Sequence, residues 1–376
     1  MKIAVNTRFL LKGKMEGIGR FTYEVLRRMV AEHPEDEFIF FFDRVYDPTF
    51  VFAPNVTPVV LFPPARHPFL FIWWFEYSLW AALKKSQPDV FLSTDNFCVL
   101  NTKVPTVLVM HDIAYTHFPE LVSKTERWYY QKYTPRFIQK AERIVTVSEF
   151  TRDDILTQFP VPESKFDIAC NGCDPHFQPQ PDSEQQKVRE QFTGGHSYFI
   201  YVGAIHPRKN VHRLIWAFEK FKTQTQSPAK LVIVGREAWM TDQVRKIYEA
   251  NAYKKDILFT GYVERAALPK LMGSALALVY PSLFEGFGIP VLEAMHAEVP
   301  IITSNVSSLP EVASKAAIYV NPNFVKEIAN AMILIWESEE LRQNLVERGR
   351  EQRLLFTWEK AAAVVYKNLE EAIAGD

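Results

Sequence analysis

The sequence predicts an α/β protein made of two domains, each built on a parallel sheet. Short segments rich in β-branched and aromatic residues alternate with longer segments in which apolar residues recur at helical spacing. This alternation is typical of parallel strands joined by right-handed helical crossovers. The chain has 376 residues, which suits two domains of ordinary size. A segment rich in proline and polar residues, 174–183, separates the two alternating sets, and we interpret it as a linker.

We place the first domain at 1–176 and the second at 177–357. The predicted strands of the first domain are Lys2–Asn6, Phe38–Phe42, Val90–Ser93, Thr106–Met110, Ile144–Val147 and Asp167–Ala169. Its predicted helices are Ile18–Glu32, Phe69–Lys85, Lys124–Lys140 and Glu149–Gln158. The predicted strands of the second domain are Tyr198–Val202, Lys230–Val234, Ile257–Thr260, Ala275–Val279 and Pro300–Thr303. Its predicted helices are Val211–Lys222, Thr241–Asn251, Leu268–Gly273, Pro290–Ala297 and Lys326–Glu337, followed by the amphipathic segments Glu339–Leu355 and Trp358–Ala374.

Composition excludes several classes of protein. Hydrophobic residues make up 48% of the chain, which argues against disorder, and the formal net charge of −1 gives no basic excess for nucleic-acid binding. Three cysteines and no secretory leader predict a reducing, cytoplasmic location. The most apolar stretch, Phe69–Leu83, contains Glu76 and is shorter than the roughly 20 residues that span a bilayer. We interpret it as a core helix; an acceptor site or a peripheral contact with the inner face of the membrane, made by aromatics within 67–80, remains an alternative.

One stretch, Tyr280–Met295, carries the strongest signal for a binding site. A buried strand enters it, a turn with glycines follows, and Pro290 suits the first turn of a helix. Side chains on a helix lean toward its N-terminus, so Glu285 on the turn and Glu293 on the helix are expected to face the same space. The amide groups of 286–288 and the helix N-terminus favour an anion there. A phosphate-bearing ligand with many hydroxyls, such as a nucleotide sugar, matches these groups.

Polar residues also follow two other predicted strands. His111 and Asp112 end a buried strand, where ligands of parallel sheets bind. Gly203 ends the first strand of the second domain, and the cations Arg208 and Lys209 follow at the start of a helix. Cations oppose the helix dipole at that position by a few tenths to about 1 kcal/mol. We therefore expect the two cations to bind an anion, and a diphosphate leaving group in particular.

Gly17 and Gly19 open the first long helix and allow two interpretations. In a dinucleotide fingerprint, Asp43 at the end of the second strand would bind the ribose. The third glycine position of that fingerprint holds Thr22, and the preceding loop is too long for its tight turn. We favour a glycine loop whose backbone approaches a diphosphate or an acceptor.

The sequence offers little for a metal. Cys170 and Cys173 form a lone C-x-x-C with no second pair, and a turn at Asn171-Gly172 explains their spacing. No D-x-D pattern, which could hold a divalent cation against a diphosphate, occurs in the chain. We expect no metal and no cofactor, with cations and amides compensating the phosphate charge.

These motifs together resemble the retaining glycosyltransferases of family 4, also known as group 1, which have the GT-B fold. Glu285 and Glu293 stand as the E-x7-E motif of that family. The other matching segments are Gly17-Ile-Gly19-Arg20, His111-Asp112, Val147-Ser148-Glu149, Asn171-Gly172-Cys173-Asp174, Gly203–Asn210 and Pro281–Glu311. The segments His111–Glu120 and Pro207–Asn210 resemble the mannosyltransferase-B-like branch in particular, whose members often use GDP-mannose.

The resemblance implies a role for each matching residue. Lys209 with Arg208 would bind the donor diphosphate, Glu285 the hydroxyls of the donor sugar, and Glu293 the nucleotide ribose. His111 would contact the transferred sugar, and with Arg208, Lys209 and Glu285 it makes up the predicted catalytic set. The remaining donor-binding positions implied by the resemblance are Gly17, Gly19, Gly203, Val263, Gly286, Phe287 and Gly288. The GT-B fold further implies two Rossmann-like domains facing a cleft, with helix 358–376 returning to the first domain.

Two departures from the family pattern concern residues beside these positions. Many relatives have arginine directly after Gly203, where this chain has Ala204, and Arg208 is expected to replace that charge. The residue after Asn171-Gly172 is usually apolar and β-branched, and here it is Cys173. Neither change removes a predicted catalytic group.

The predicted function is retaining, metal-independent transfer of a hexose from a nucleotide sugar to a glycan or lipid-linked acceptor in polysaccharide biosynthesis. The donor is expected to be GDP-mannose, with a UDP-sugar as the alternative. Three competing hypotheses are a non-catalytic nucleotide-sugar-binding protein, a dinucleotide dehydrogenase and a retaining glycoside hydrolase. The last would use Glu285 and Glu293 as acid and nucleophile, about 5–5.5 Å apart across one bond. The sequence contains no pattern that identifies the acceptor or the oligomeric state.

Overall fold

The computed structural model describes residues 1–13, 15–236, 242–264 and 266–375. The chain forms two compact units. Unit 1 comprises Met1–Gly172 and the C-terminal segment from Thr357 onward, and unit 2 comprises Cys173–Phe356.

Unit 1 contains a parallel sheet of seven strands in the order β3-β2-β1-β4-β5-β6-β7. The strands are β1 Lys2–Asn6, β2 Glu37–Phe42, β3 Val56–Val60, β4 Val90–Ser93, β5 Thr106–Met110, β6 Arg143–Thr146 and β7 Phe166–Ile168. The helices are α1 Gly17–Glu32, α2 Pro68–Trp73, α3 Trp80–Ser86, α4 Ala114–His117, α5 Lys124–Lys140 and α6 Glu149–Gln158. A π-helical segment, Trp74–Leu79, joins α2 to α3. Nearly every residue of the central strands β1, β4 and β5 is buried, because helices cover both faces of a parallel sheet.

Unit 2 contains a parallel sheet of six strands in the order β10-β9-β8-β11-β12-β13. Its strands are β8 Tyr198–Val202, β9 Lys230–Val234, β10 Ile257–Gly261, β11 Ala277–Tyr280, β12 Ile301–Ser304 and β13 Ala317–Val320. Its helices are α7 Asp182–Thr193, α8 Val211–Thr225, α9 Asp242–Ala250, α10 Leu268–Gly273, α11 Ile289–His296, α12 Leu309–Ala313, α13 Val325–Glu337 and α14 Glu339–Gln352. Thr241, where a helix was predicted to begin, lies outside the described residues.

The last helix, α15 Trp358–Ala374, belongs to unit 1 as predicted. Thr357 caps it by accepting a hydrogen bond from the Lys360 amide. Its side chains bond to unit 1: Glu359 pairs with Arg28 at 2.8 Å, and the Tyr366 hydroxyl donates to Asp36 at 2.7 Å. The two-unit arrangement of parallel sheets with a returning helix agrees with the predicted fold class.

Gly172 explains how α15 meets the first segment of unit 1. A Cβ at residue 172 would lie 2.5 Å from the Trp358 amide nitrogen and 2.7 Å from its ring. The nitrogen is a backbone atom, and the ring belongs to a buried side chain. Gly172 is therefore required for close approach, which the sequence interpretation of a simple turn did not include.

The prediction missed two short helices, α4 and α12, and three further elements that explain why it failed. β3 is a half-exposed edge strand that contains Pro58, and proline is tolerated there because one side of an edge strand makes no ladder bonds. β13 is a short strand at one edge of the unit 2 sheet and is only partly buried. α7 begins inside the predicted linker and has a weak apolar face, with Val188 buried among polar residues. Each element lacks the buried periodic pattern on which the prediction depended.

No helix in the described ranges is long and apolar enough to cross a membrane.

Candidate functional site

The candidate site of unit 2 lies where the strand order of its sheet reverses. β8 sits between β9 and β11, so the connections leaving β8 and β11 turn to opposite sides of the sheet. This reversal opens a crevice at the carboxyl ends of the two strands, the usual ligand position in open parallel sheets. The segment after β8 carries Arg208 and Lys209, and the segment after β11 carries Glu285.

Lys209 and Glu285 form a tight ion pair in this crevice. The Lys209 Nζ lies 2.6 Å and 2.8 Å from the two oxygens of the Glu285 carboxylate. Tyr280, the last residue of β11, completes a triangle: its hydroxyl accepts from Lys209 Nζ at 2.8 Å and donates to Glu285 Oε1 at 2.8 Å. All three side chains are buried or nearly so. Each therefore restricts the position of the other two.

Arg208 and Asn210 hold the segment after β8 against the segment after β11. Arg208 Nη1 donates to the Phe284 carbonyl at 2.9 Å, and its own carbonyl accepts from the Leu283 amide at 2.8 Å. Asn210 is fully buried with φ +63°, and its amide group donates to the Pro281 carbonyl at 2.9 Å. These bonds connect the two segments on both sides of the ion pair.

The electrostatics of the triangle favour an ionised carboxylate. Burial alone would raise the pKa of Glu285, but the charges of Lys209 and Arg208 and the hydrogen bond from Lys209 lower it below its ordinary value. Arg208 lies 3.9 Å from the carboxylate. Burial and the neighbouring carboxylate raise the pKa of Tyr280 well above its ordinary value, so its hydroxyl keeps its proton. Among Arg208, Lys209 and Glu285, two cations lie beside one carboxylate.

The loop after Glu285 is held by two serines that the sequence analysis did not select. Ser307 Oγ accepts from the Glu285 amide at 3.1 Å. Ser308 Oγ lies 3.0 Å from the Glu285 carbonyl and 2.8 Å from the Phe287 carbonyl. Gly288 has φ +106°, and α11 begins directly after it, with Pro290 in the first turn as predicted.

Three other predicted donor-binding positions lie at the same edge of the sheet. Glu293 is half-buried in α11, Val263 follows β10, and Gly203 follows β8. Gly235, which the prediction omitted, follows β9 and packs against Gly203: a Cβ on Gly235 would lie 1.9 Å from the Gly203 carbonyl oxygen. The carboxyl ends of β10, β9, β8 and β11 thus form one continuous edge lined by the predicted residues.

His111 lies at the corresponding edge of the unit 1 sheet, directly after β5. Its amide donates to Asn96 Oδ1 at 2.7 Å, and its Nε2 lies 2.8 Å from the Thr94 carbonyl oxygen. A carbonyl oxygen only accepts, so Nε2 carries the proton. Burial lowers the pKa of His111, so the ring is neutral and its Nδ1 is an acceptor. The carboxylate of the neighbouring Asp112 accepts a hydrogen bond from the Ala114 amide at 3.0 Å.

The structure distinguishes between the two interpretations of Gly17 and Gly19. Gly17 is the exposed first residue of α1, and a Cβ on Gly19 would lie 2.6 Å from the Phe9 carbonyl. Asp43 is buried, with its carboxylate bound by Arg44 at 2.6 Å and by the Ala65 amide at 2.9 Å. An acid engaged in this way has a structural role, which removes the support for a ribose contact in a dehydrogenase.

Metal ligands do not gather at either edge among the described residues. One trio, His33, Glu35 and Asp36, brings ligand atoms within 4.8 Å of one another. It lies beside the amino ends of the unit 1 strands, and Asp36 already accepts from Tyr366 and the N-terminal ammonium. The three cysteines are unbridged.

Two family models match nearly the whole chain. Residues 15–177 match the model described as Glycosyltransferase Family 4, and residues 182–352 match Glycosyl transferases group 1. The chain belongs to these glycosyltransferases. It is 29% identical over 365 residues to the O-antigen chain mannosyltransferase B of Escherichia coli, covering 93% of this chain and 94% of that protein. It is 28% identical over 266 residues to the O-antigen chain mannosyltransferase RfbU of Salmonella typhimurium, covering 69% of each.

Solved structures confirm the GT-B fold. WaaG, a glycosyltransferase involved in lipopolysaccharide biosynthesis, has a TM-score of 0.78 at 15% identity and covers 96% of this chain and 99% of its own. Anabaena Alr3699/HepE in complex with UDP and glucose has a TM-score of 0.77 at 17% identity and covers 98% and 99%. The two family models and the mannosyltransferase relatives confirm the recognition of this glycosyltransferase family from its motifs.

The structure of this glycosyltransferase adds Tyr280, Ser307, Ser308 and Gly235 to the residues selected from sequence. Tyr280 was predicted to begin the binding stretch but was given no role, because its hydroxyl also contacts Lys209, which is 71 residues away in the sequence. The two serines follow β12 and lie about 22 positions beyond the loop that they hold. The one sequence signal for Gly235 was its position directly after β9, which matches the position of Gly203 directly after β8.

Proposed function

We propose that this glycosyltransferase transfers mannose from GDP-mannose, with retention at the anomeric carbon and without a metal ion, to a saccharide acceptor of polysaccharide biosynthesis. The observation that carries the proposal is the Arg208, Lys209 and Glu285 cluster at the switch point of unit 2. Its two cationic side chains suit a diphosphate, and its ionised carboxylate suits sugar hydroxyls. The mannose donor is supported by the names of the two relatives, both O-antigen chain mannosyltransferases.

The proposed reaction breaks the bond between the anomeric carbon and the diphosphate oxygen and forms a bond to an acceptor oxygen on the same face. The electron pair of the broken bond leaves with the diphosphate, and the acceptor proton passes to the departing phosphate oxygen. Arg208 and Lys209 would stabilise the developing negative charge. Glu285 would hold sugar hydroxyls, Glu293 the ribose, and the 286–288 amides the phosphate or sugar. In unit 1, Nδ1 of His111 would accept a hydrogen bond from a hydroxyl of the transferred sugar.

The charge state of Glu285 argues against the acid role that the hydrolase alternative gives it. A retaining hydrolase needs one carboxyl with a raised pKa to protonate the leaving oxygen. The pKa of Glu285 is instead lowered by two cations, and its oxygens are bound by Lys209 and Tyr280. Glu285 is therefore suited to accept hydrogen bonds and poorly suited to donate a proton.

The decisive experiment is a thermal-shift panel with GDP-mannose, GDP, UDP-glucose, UDP and NAD, followed by a transfer assay with the donor that stabilises most. We expect GDP-mannose and GDP to raise the unfolding temperature, and EDTA to leave transfer unchanged. Stabilisation by nucleotides without turnover for any acceptor would favour a non-catalytic binding protein, and NAD binding would revive the dehydrogenase.

A UDP-sugar is the second candidate donor. This donor is supported by Anabaena Alr3699/HepE, which shares the fold of this chain and whose structure is a complex with UDP and glucose. Stabilisation by UDP-glucose but not by GDP-mannose in the same panel would replace the donor while leaving the diphosphate and sugar assignments intact.

A further inference from the structure

Tyr280 differs from the other two members of the buried triangle in how firmly its side chain is held. It is the last residue of β11 and pairs with Thr303 of β12, whose hydroxyl donates to the Tyr280 carbonyl at 3.0 Å. Its ring stacks on the ring of Tyr201 in β8, with 5.9 Å between the ring centres and 23° between the planes. The strands on both sides of β11 therefore fix the position of the Tyr280 ring and its hydroxyl.

Lys209 and Glu285 reach the Tyr280 hydroxyl from segments outside the sheet. Lys209 ends the short turn Pro207–Lys209, and its ammonium group lies at the end of a flexible four-carbon stem. Glu285 lies five residues after Tyr280, on the loop that precedes α11. Two side chains from loops thus meet one hydroxyl that belongs to a strand, which makes this hydroxyl the fixed point of the triangle.

The hydrogen bonds of the triangle occupy groups that the proposed donor would need. An ammonium group has three N–H donors. Three oxygens lie within hydrogen-bond distance of Lys209 Nζ: both carboxylate oxygens of Glu285, at 2.6 Å and 2.8 Å, and the Tyr280 hydroxyl, at 2.8 Å. A diphosphate oxygen that takes up one of these donors must replace one of the three oxygens. Binding of a diphosphate to Lys209 therefore requires an exchange of partners.

Glu285 has a hydrogen bond that does not depend on Lys209. The Tyr280 hydroxyl donates to Glu285 Oε1 at 2.8 Å. Burial and the neighbouring carboxylate raise the pKa of Tyr280 well above its ordinary value, so the hydroxyl keeps the proton that it donates. Hydrogen bonds to an ionised group are stronger than those between neutral groups. This bond is therefore suited to hold the carboxylate after the ammonium group has turned to a phosphate.

We propose that Tyr280 is a positioning residue for sugar transfer: its hydroxyl holds the Glu285 carboxylate in place while Lys209 exchanges that carboxylate for the donor diphosphate. This inference rests on the proposed function, which assigns Lys209 to the diphosphate and Glu285 to the sugar hydroxyls. It adds that the two assignments are linked, because the carboxylate is released to the sugar when the phosphate draws the lysine away. Tyr280 acts through Glu285 and does not itself touch the sugar.

The test is Tyr280→Phe in the full chain, which keeps the stacked ring and removes only the hydroxyl. Two quantities are measured, the transfer rate at saturating donor and the affinity for the free nucleoside diphosphate. The probes are GDP-mannose and GDP, or UDP-glucose and UDP if the thermal-shift panel selects them. We expect the transfer rate to fall at least about tenfold, the scale of one hydrogen bond to a charged group. The affinity for the diphosphate should stay within about twofold, because Arg208 and Lys209 are both retained.

A second background shows whether Tyr280 acts through Glu285. Glu285→Ala removes the carboxylate to which the Tyr280 hydroxyl donates. Adding Tyr280→Phe to Glu285→Ala should therefore change the transfer rate by no more than about twofold. A hydroxyl that served only the stability of the fold would lower the rate by the same factor in both backgrounds.

Tyr198→Phe is the matched control. Tyr198 is a fully buried tyrosine at the start of β8, and its hydroxyl donates to the Leu271 carbonyl at 2.6 Å. Its loss removes a buried hydrogen bond of unit 2, so the unfolding temperature should fall while transfer stays within about twofold of the wild type. The unfolding temperature of every variant verifies that it is folded.

Three results would overturn the inference and leave the proposed function intact. One is wild-type transfer in Tyr280→Phe. The second is an equal loss of transfer in Tyr198→Phe, or a full further loss when Tyr280→Phe is added to Glu285→Ala. The third is a loss of diphosphate affinity as large as the loss of transfer, which would assign the hydroxyl to Lys209 alone. A wild-type protein that neither binds nucleotides nor transfers sugar would refute the proposed function itself, and this inference with it.

Discussion

Lys209→Met isolates the contribution of one cation to the site. The change removes the ammonium group that lies 2.6 Å and 2.8 Å from the Glu285 oxygens and keeps a side chain of similar length. Arg208 remains, but at 3.9 Å. Breaking a buried ion pair by removing one partner typically costs about 3–5 kcal/mol. Proton uptake by Glu285 limits this loss of stability, because a neutral carboxyl needs no cation beside it. Protonating a carboxyl with an ordinary pKa of 4.5 at pH 7 costs about 3.4 kcal/mol, at about 1.36 kcal/mol per pH unit.

The pH dependence has a definite sign. In the wild type the pKa of Glu285 is lowered by folding, so its contribution to stability is present above the ordinary pKa of 4.5 and is lost as pH falls through the lowered value. In Lys209→Met, burial dominates and the folded pKa is raised. Stability then falls as pH rises from 4.5 toward the raised value. The stability deficit of the variant should therefore grow between pH 4.5 and 7 and shrink in acid.

A double-mutant cycle separates structure from catalysis. Glu285→Gln in the Lys209→Met background removes the buried charge that has lost its nearest partner, so the double variant should be more stable than Lys209→Met alone. Transfer should nevertheless fall at least about 10²-fold in each single variant and in the double variant, the usual loss for one group that stabilises a transition state. Chemical denaturation at several pH values gives the stabilities, and a radiolabelled-donor assay gives the rates. Near-normal turnover in Lys209→Met, or a double variant no more stable than the single one, would refute the assignment.

Three further predictions concern backbone contacts and the charge of one ring. Gly235→Ala places a Cβ 1.9 Å from the Gly203 carbonyl at φ +152°, so unit 2 should lose several kcal/mol of stability, on the scale of about 1–3 kcal/mol for strain alone. Gly172→Ala should detach α15 by collision with Trp358, raising the rate of proteolysis near residue 357. Because burial lowers the pKa of His111, its ring should stay neutral as pH falls from 7.5 through 6.5, and the transfer rate should show no step from histidine protonation there.

Each of these predictions has a control and an opposing outcome. Gly194→Ala shares a positive φ of +61° but has no atom within 4 Å of the new Cβ, so it should cost less than Gly235→Ala; equal costs would mean that the clash is not decisive. Unchanged proteolysis of Gly172→Ala would show that the backbone can shift. A rate that falls with an apparent pKa near 6.5, and that loses this dependence in His111→Gln, would show that the ring titrates normally.

Sequence patterns predicted the central strands well because these strands are buried on both faces. β1, β4, β5, β8 and β9 have the predicted bounds, since continuous apolar runs follow directly from burial. The edge strands β3 and β13 were not predicted, because their half-exposed residues do not form a continuous apolar run. Within the site, Arg208, Lys209 and Glu285 could be selected because charged residues after buried strands stand out.

Contacts between distant residues had no local signal. The separation of Tyr280 from Lys209 is 71 residues, and only the pairing of β8 with β11 brings the hydroxyl to the ammonium group. The same holds for Ser308 beside Glu285 and for Gly235 beside Gly203. These neighbours follow from strand order, which alternating patterns leave open.

The sequence by itself determined the class of fold, the two alternating sets of elements and the charged residues at strand ends, because burial and helix chemistry act over a few residues. The tertiary structure decided the partners of those charges. It joined Lys209, Tyr280 and Glu285 into one buried triangle, set the neutral state of the His111 ring and its proton position, and turned Trp73 and Tyr77 outward from a helix whose other face fills the core. These outcomes depend on which strands lie side by side and on which groups lose water, and neither is encoded in any single stretch of the chain.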